Sequence, residues 1–312
     1  MNTYTKEILT ILKNKYTQVV GNKPFQTESE MLEYYTEKLE DNLYMPMSVG
    51  AYASYGQGSG NEIGTGKMNA LRSSSALTYN LFWDQVAQIK NENKHFGKGV
   101  YQVEFEKQYH TLKKSASRNP ANLDAFLYCK NTKEAIACEM KMTEWIFNKP
   151  GMLKSAYLDP DNYEKNGNVF VEVAKELILN NDYEDPNAEK SEYPSITSRY
   201  DAFQMFKHTV ACYNACMLEE KRKIEKLTLV NCAWTLENKD ALSEKALERY
   251  AQEERSELEQ FNLFKEKMKP IIKMINDEGI KFDIVFYKFS DFVKVFDKTK
   301  EELEYLKRYT LE

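Results

Sequence analysis

The sequence predicts an α/β domain: a mixed sheet flanked by helices, its core ordered helix, three-strand meander, helix, strand, with helical additions at both ends. Apolar residues recur at three- and four-residue spacing in the first and last thirds of the chain, the mark of helices with one buried face. Between them, residues 100–109, 121–129 and 134–143 alternate in polarity or run apolar between turn residues, as strands do. The 312 residues, 42% hydrophobic and 13% aromatic, are enough to bury one large core.

Residues 5–20 and 27–42 read as helices. The second is entered through TESE, with Thr27 as N-cap and Glu30 as its reciprocal partner, and together they form an N-terminal layer over residues 1–50. A glycine-rich loop, YGQGSGNEIGTGK, then leads to LRSSSALTYNLFWDQVAQI, where Ala76, Leu77, Asn80, Leu81, Trp83 and Val86 fit one helix with a wide apolar face. VYQVEFEKQY sets Tyr101, Val103 and Phe105 against Gln102, Glu104 and Glu106, a strand with one wet face. Helical spacing returns over 199–225, and KLTLVNCAWTL (226–236) is a buried strand. A long charged helical region (239–278), an apolar strand, KFDIVFYKF, and a closing helix with Glu302 and Lys307 on its solvated face complete the chain. Residues 180–198 read as a mobile loop. The organisation is one domain, with a core over 57–236 and a helix-strand-helix addition over 237–312.

Composition narrows the class. No apolar run approaches the roughly 20 residues of a membrane helix, and the first segment, MNTYTKEILTILKNKY, spreads lysines through an amphipathic helix instead of building an export signal. A soluble, cytoplasmic protein is expected. The five cysteines, odd in number and without a C-x-x-C, suit reduced core thiols. A formal charge of −5 excludes a surface coated in basic residues, but not a locally basic groove.

The chemistry concentrates in NLDAFLYCKNTKEAIACEMKMTEW, residues 122–145, where three charges stand inside apolar strands. Glu139 and Lys141 are two apart and share one face with the small Ala135, Ala137 and Thr143, while Ile136, Cys138, Met140 and Met142 fill the other. A hairpin through KNTKE brings Asp124 of the preceding strand close to Glu139 or its neighbours, the register being open. Two buried carboxylates repel each other, and one lysine offsets only one of them. The plain structural alternative is an ion pair of Lys141 with Glu139 or Asp124. The sharper one is a divalent metal held by two carboxylates, a main-chain carbonyl and water, the oxygen-rich shell of Mg²⁺.

These residues resemble the PD-(D/E)XK nuclease superfamily, the restriction-endonuclease-like fold. Its motif is an Asp early in the second core strand, here in NLDAFLY, and a Glu/Asp-x-Lys strand, here CEMKM, within the same order of elements. The departure is Asn122 and Leu123 where the motif has Pro and a spacer, although RNPANLD keeps a proline just upstream. The flanks GSGNE, LRSSSALTYNLFW and FQMFKHTVACYNA also look like those of bacterial restriction-endonuclease-like proteins. The resemblance implies a Mg²⁺-dependent endonuclease of restriction or defence type acting on DNA, with Mn²⁺ as a substitute ion. Asp124, Glu139 and the Met140 carbonyl would be ligands, and Lys141 would hold the attacking water or stabilise the phosphorane. Glu62 is the candidate for a further acid from the first core helix, against a capping box with Ser59. The alternative class is a nucleic-acid-binding or structural protein that keeps the fold without cleaving anything.

Lys107, Lys113, Lys114 and Arg118, in an acid-free stretch between strands, are candidate phosphate contacts, against a solvated turn. Gln204, Lys207 and His208 resemble the polar residues that the superfamily directs at its site from the helix after the strands. His208, Cys212 and Cys216, spaced by four, lack a fourth zinc ligand. GNEIGTGKM departs from a P-loop in its glycine spacing and in Met68, and no G-x-S-x-G surrounds the serines at 73–75. A homodimer would suit double-strand cleavage.

Overall fold

The computed structural model describes residues 1–57, 61–117, 119–184, 191–218 and 223–310. Helix α1 (Thr3–Val20) begins where the Asn2 side chain accepts the Thr5 N–H and ends at Gly21, whose φ of 95° suits glycine. The expected second helix over 27–42 does not form. Its backbone groups go instead to bridges, Gln26 N–H to the Tyr35 carbonyl and Thr36 N–H to that of Asn69, with two short 3₁₀ turns, Leu32–Tyr34 and Leu39–Asn42. Thr27 therefore caps no helix.

Helix α2 (Val49–Gln57) takes in the start of the glycine-rich stretch, and Ser59 lies outside the described residues. Helix α3 (Ser74–Leu81) is capped by Ser73 Oγ, which accepts the Ala76 N–H. It stops well short of Val86: Gln85 turns to φ 58°, and Val86–Ile89 is strand β1. The meander follows as β2 (Gly99–Tyr109), β3 (Ala121–Cys129) and β4 (Glu134–Lys141).

After β4 come the short helix α4 (Glu144–Phe147), strand β5 (Leu153–Lys154), helix α5 (Gly167–Glu176) and strand β6 (Glu192–Tyr193). Residues 180–198, expected as a loop, thus include a strand that pairs with β5, while 185–190 lie outside the described residues. Helix α6 (Ala202–Leu218) and strand β7 (Lys226–Ala233) complete the expected core order. Helices α7 (Glu244–Lys267) and α8 (Lys269–Asp277), strand β8 (Lys281–Lys288), and helices α9 (Phe289–Val293) and α10 (Lys300–Thr310) close the chain.

The main sheet has six strands in the order β1-β2-β3-β4-β7-β8. The first four are antiparallel, and β4-β7 and β7-β8 are parallel. It is the α/β architecture read from the sequence, with β1 and β8 as added edges of the same sheet. Helices cover both faces. Ile136, Cys138, Met140 and Met142 join Leu9, Leu77 and Phe292 in one core, while Ala135 and Ala137 join Phe203, Phe206 and Ile271 in the other. The alternation read along β4 is therefore the one observed. None of the five cysteines forms a disulfide among the described residues, and four of them are buried. No helix among the described residues is long and apolar enough to cross a membrane.

Candidate active site

Two distortions open the sheet where the charges sit. Alternation breaks in β3: Ala125 and Leu127 belong to one core but Leu123 and Phe126 to the other, so the strand changes face beside Asp124. Strand β2 does the same. Phe105 lies in the first core, Tyr109 packs on the second against Phe126 at 5.6 Å between ring centres, and between them Glu106 takes φ 49°. Pairing of β2 with β3 skips Glu106 and Asp124, and pairing of β3 with β4 stops at Ala125 and Cys138. In the gap, Asp124 Oδ2 accepts the Met140 N–H at 2.6 Å, so a side chain replaces the ladder.

Glu139 is 3% exposed and points at α6. That helix starts beside the site because Asp201 caps it, Oδ1 accepting the Gln204 N–H at 3.0 Å. Gln204 and His208, one turn apart, then reach the same carboxylate: Gln204 Nε2 donates to Glu139 Oε1 at 2.8 Å, and His208 Nε2 lies 2.8 Å from Oε2. Lys141 Nζ completes the cluster, 2.6 Å from Glu139 Oε1 and donating to Gln204 Oε1 at 2.6 Å. Gln204 and His208 thus present one surface directed at Glu139.

Burial alone would raise Glu139, but Lys141 and His208 overcome it and bring its carboxyl down to about 2. Lys141 shows the opposite balance, burial favouring the neutral amine while Glu139 and Glu144 keep the ammonium charged and lift it above its ordinary value. Asp124 fares worse. Burial, then Glu139 and Glu106, push it well above the carboxylate range, against the Met140 N–H and Lys141. Glu106 is pushed up to about 7 by burial and by Glu139 and Glu62. Glu62 is raised by burial in spite of Lys67, 3.5 Å away. The cluster therefore holds more carboxyl groups than Lys141 could neutralise were all of them ionised, and the ionisation of Asp124, Glu106 and Glu62 is opposed.

Glu139 yields a pH prediction. Its folded value of about 2 lies below the roughly 4.3 of an unfolded glutamate. Its stabilisation is complete above the unfolded value and is lost as pH falls from about 4.3 toward the folded value. Urea unfolding of Glu139→Gln should lack this part of the slope between these limits; the same slope in both proteins would contradict the ion-pair cluster.

Among the described residues no group of three His, Cys, Asp or Glu side chains is arranged to hold a metal ion. Glu139 is turned to its three partners and Asp124 to the Met140 N–H. The donor set is nevertheless of the kind a hard divalent cation takes, carboxyl oxygens whose ionisation together a cation would favour.

The other expected contacts divide. Lys207, half-buried, lines a cleft of about 340 Å³ with Lys154, Gln204 and His208, and burial depresses its ammonium. Lys113 donates to the Asp161 carbonyl at 2.9 Å, Lys107 pairs with Glu104 at 2.8 Å, Lys114 is exposed, and Arg118 lies outside the described residues. Glu106, Asp201 and Lys154 were not expected. Asp201 carries a cap signal in the sequence, an Asp three residues before Gln204 at a helix start. Glu106 carries none, since its place depends on the change of face in β2. Residues 6–276 match the family described as Restriction Endonuclease associating with ARP. No curated protein and no solved structure matches the chain.

Proposed function

Because the chain belongs to this restriction endonuclease family, we propose that it is a divalent-metal-dependent endonuclease of the PD-(D/E)XK type that hydrolyses phosphodiester bonds of DNA. The observation that supports the reading best is the meeting of the Glu139–Lys141 pair with Asp124 at the opening between β3 and β4. Asp124, Glu139 and the Met140 carbonyl would hold Mg²⁺ or Mn²⁺, with Glu62 as a further acid. A bound ion there would polarise the phosphodiester and make a water more acidic.

The chain's own groups do the rest. Lys141, kept charged by Glu139 and Glu144, stabilises the negative charge that grows on the phosphoryl oxygens as water attacks. Gln204 fixes the orientation of both Lys141 and Glu139 by bonding to each. His208 closes the buried side of Glu139. Lys207 and Lys154, on the cleft beside these groups, contact the flanking phosphates.

Supercoiled plasmid incubated with the protein and Mg²⁺ is expected to become nicked or linear, and to remain supercoiled in EDTA. A protein that retards DNA in a gel but never cuts it in Mg²⁺ or Mn²⁺ would have a binding role on the same fold.

A further inference from the structure

Gln204 and Asp201 line both the larger cleft and a second recess of about 170 Å³, which is bounded also by Lys141, Trp145, Pro150, Arg199, Asn231 and Glu257. Two of these are buried polar side chains that the hydrolytic mechanism does not use. Asn231 is 1% exposed and its Nδ2 has no hydrogen-bond partner; Glu257 is 3% exposed and its Oε2 has none. Native interiors rarely leave such groups unmatched, because each costs its full desolvation. Asn231 pairs with Glu139 in the β4-β7 register, which sets it one strand from the reacting groups.

Lys149 at the mouth of the recess is exposed, and the other charges around it are already engaged. Lys141 is held by Glu139 and Gln204. Arg199 donates to the Trp145 and Ile146 carbonyls and pairs with Glu253 at 3.3 Å. Burial pushes Glu257 up to about 8, against the pull of Lys141 and Arg199, so near neutral pH it is largely an uncharged acid with one O–H donor and one C=O acceptor. An anion entering here meets Asp201 and Glu144; a cation meets Lys141 and Arg199. A flat, neutral group with both donors and acceptors on one edge satisfies Asn231 and Glu257, and Trp145 and Pro150 offer it apolar wall.

We propose that this recess is a nucleobase subsite, in which Asn231 and Glu257 take the hydrogen-bonding edge of one base unstacked from its neighbours next to the scissile phosphate. The inference rests on the nuclease reading of the adjoining site for the nature of its ligand. No bond is made or broken in the recess; the base edge supplies partners to two buried groups.

The test uses the full chain without added metal ion and oligonucleotides carrying 2-aminopurine at one position after another. One position is expected to brighten several-fold on binding, as an unstacked base does. An abasic nucleotide at that position should weaken binding about tenfold or more, and by much less in Asn231→Leu and in Glu257→Met, which keeps the length of the side chain and removes its donor and acceptor. Should Asn231→Leu fail to give a cooperative thermal transition, Glu257→Met alone decides. A uniform response at every position, or an abasic penalty undiminished in the variants, overturns the proposal, as does failure to bind any oligonucleotide. Plasmid cleavage by the wild type in Mg²⁺ is scored separately. Cut DNA with uniform fluorescence removes the base subsite and leaves the nuclease reading. One bright position without cleavage in Mg²⁺ or Mn²⁺ removes the nuclease reading and leaves the subsite.

Discussion

Asp124→Asn is expected to abolish DNA cleavage and at the same time to stabilise the protein. The amide keeps an oxygen for the Met140 N–H, which now meets Asp124 Oδ2 at 2.6 Å, so the opening between β3 and β4 survives. It removes a carboxyl whose ionisation is opposed by burial, Glu139 and Glu106. The sign follows from that direction. A carboxyl whose folded value is raised costs nothing below its unfolded value, about 3.9, and its cost develops as pH rises from there toward the folded value. The gain on going to Asn should therefore be absent near pH 3 and grow as pH rises above about 3.9, reaching about 1–3 kcal/mol, or a few degrees in melting temperature. Cleavage should fall by more than the roughly 100-fold that loss of a supporting metal contact costs. Melting curves and plasmid assays on the same preparation check both halves. An Asn variant that is less stable and still cuts would contradict the site.

Lys141→Met is expected to lose cleavage and stability together. The ammonium is the closest counter-charge to Glu139, at 2.6 Å, and both groups lie within the cluster closed by Gln204 and His208. Removing it leaves a buried carboxylate uncompensated, a loss of about 3–5 kcal/mol. Cleavage should fall by about 10²–10³ or more, the scale for deleting a group that stabilises developing oxyanion charge. The double variant Glu139→Gln/Lys141→Met separates the two effects. It should recover most of the stability, since no charge is left unpaired, and none of the activity. Urea unfolding of the two variants, with cleavage rates beside it, is the measurement; a single variant as stable as the wild type would mean that the pair contributes little in the folded state.

The central features of the site were legible because they depend on period-two geometry. Alternation along CEMKM puts Glu139 and Lys141 on one face, and the hairpin through KNTKE brings Asp124 near Glu139 or its neighbours; the register itself comes from the observed pairing of Ala125 with Cys138. What escaped depends on distant packing. Glu106 continues a clean polar-apolar alternation in sequence, and only the change of face in β2, at a φ of 49° without a glycine, swings it to Asp124. Glu257 stands in EERSELEQ and reads as a solvated helix face, yet it is 3% exposed. The helix expected to run through Val86 ends at Leu81, and Gln85 then turns the chain into β1, again at positive φ without a glycine or proline to announce it. Residues 27–42 carry a capping-box pattern, but their backbone bonds are taken by Asn69 and by each other, a tertiary choice that overrides local preference.

The account depends most on an ion entering the gap between Asp124 and Glu139. Crystals soaked in Mn²⁺ and measured at the manganese absorption edge test this directly. The predicted result is an anomalous peak about 2.1 Å, the distance of a hard octahedral cation, from oxygens of both carboxylates and the Met140 carbonyl, with Glu139 drawn away from His208. A Mn²⁺-soaked crystal without that peak, in which Glu139 remains held by Lys141, Gln204 and His208, would contradict it.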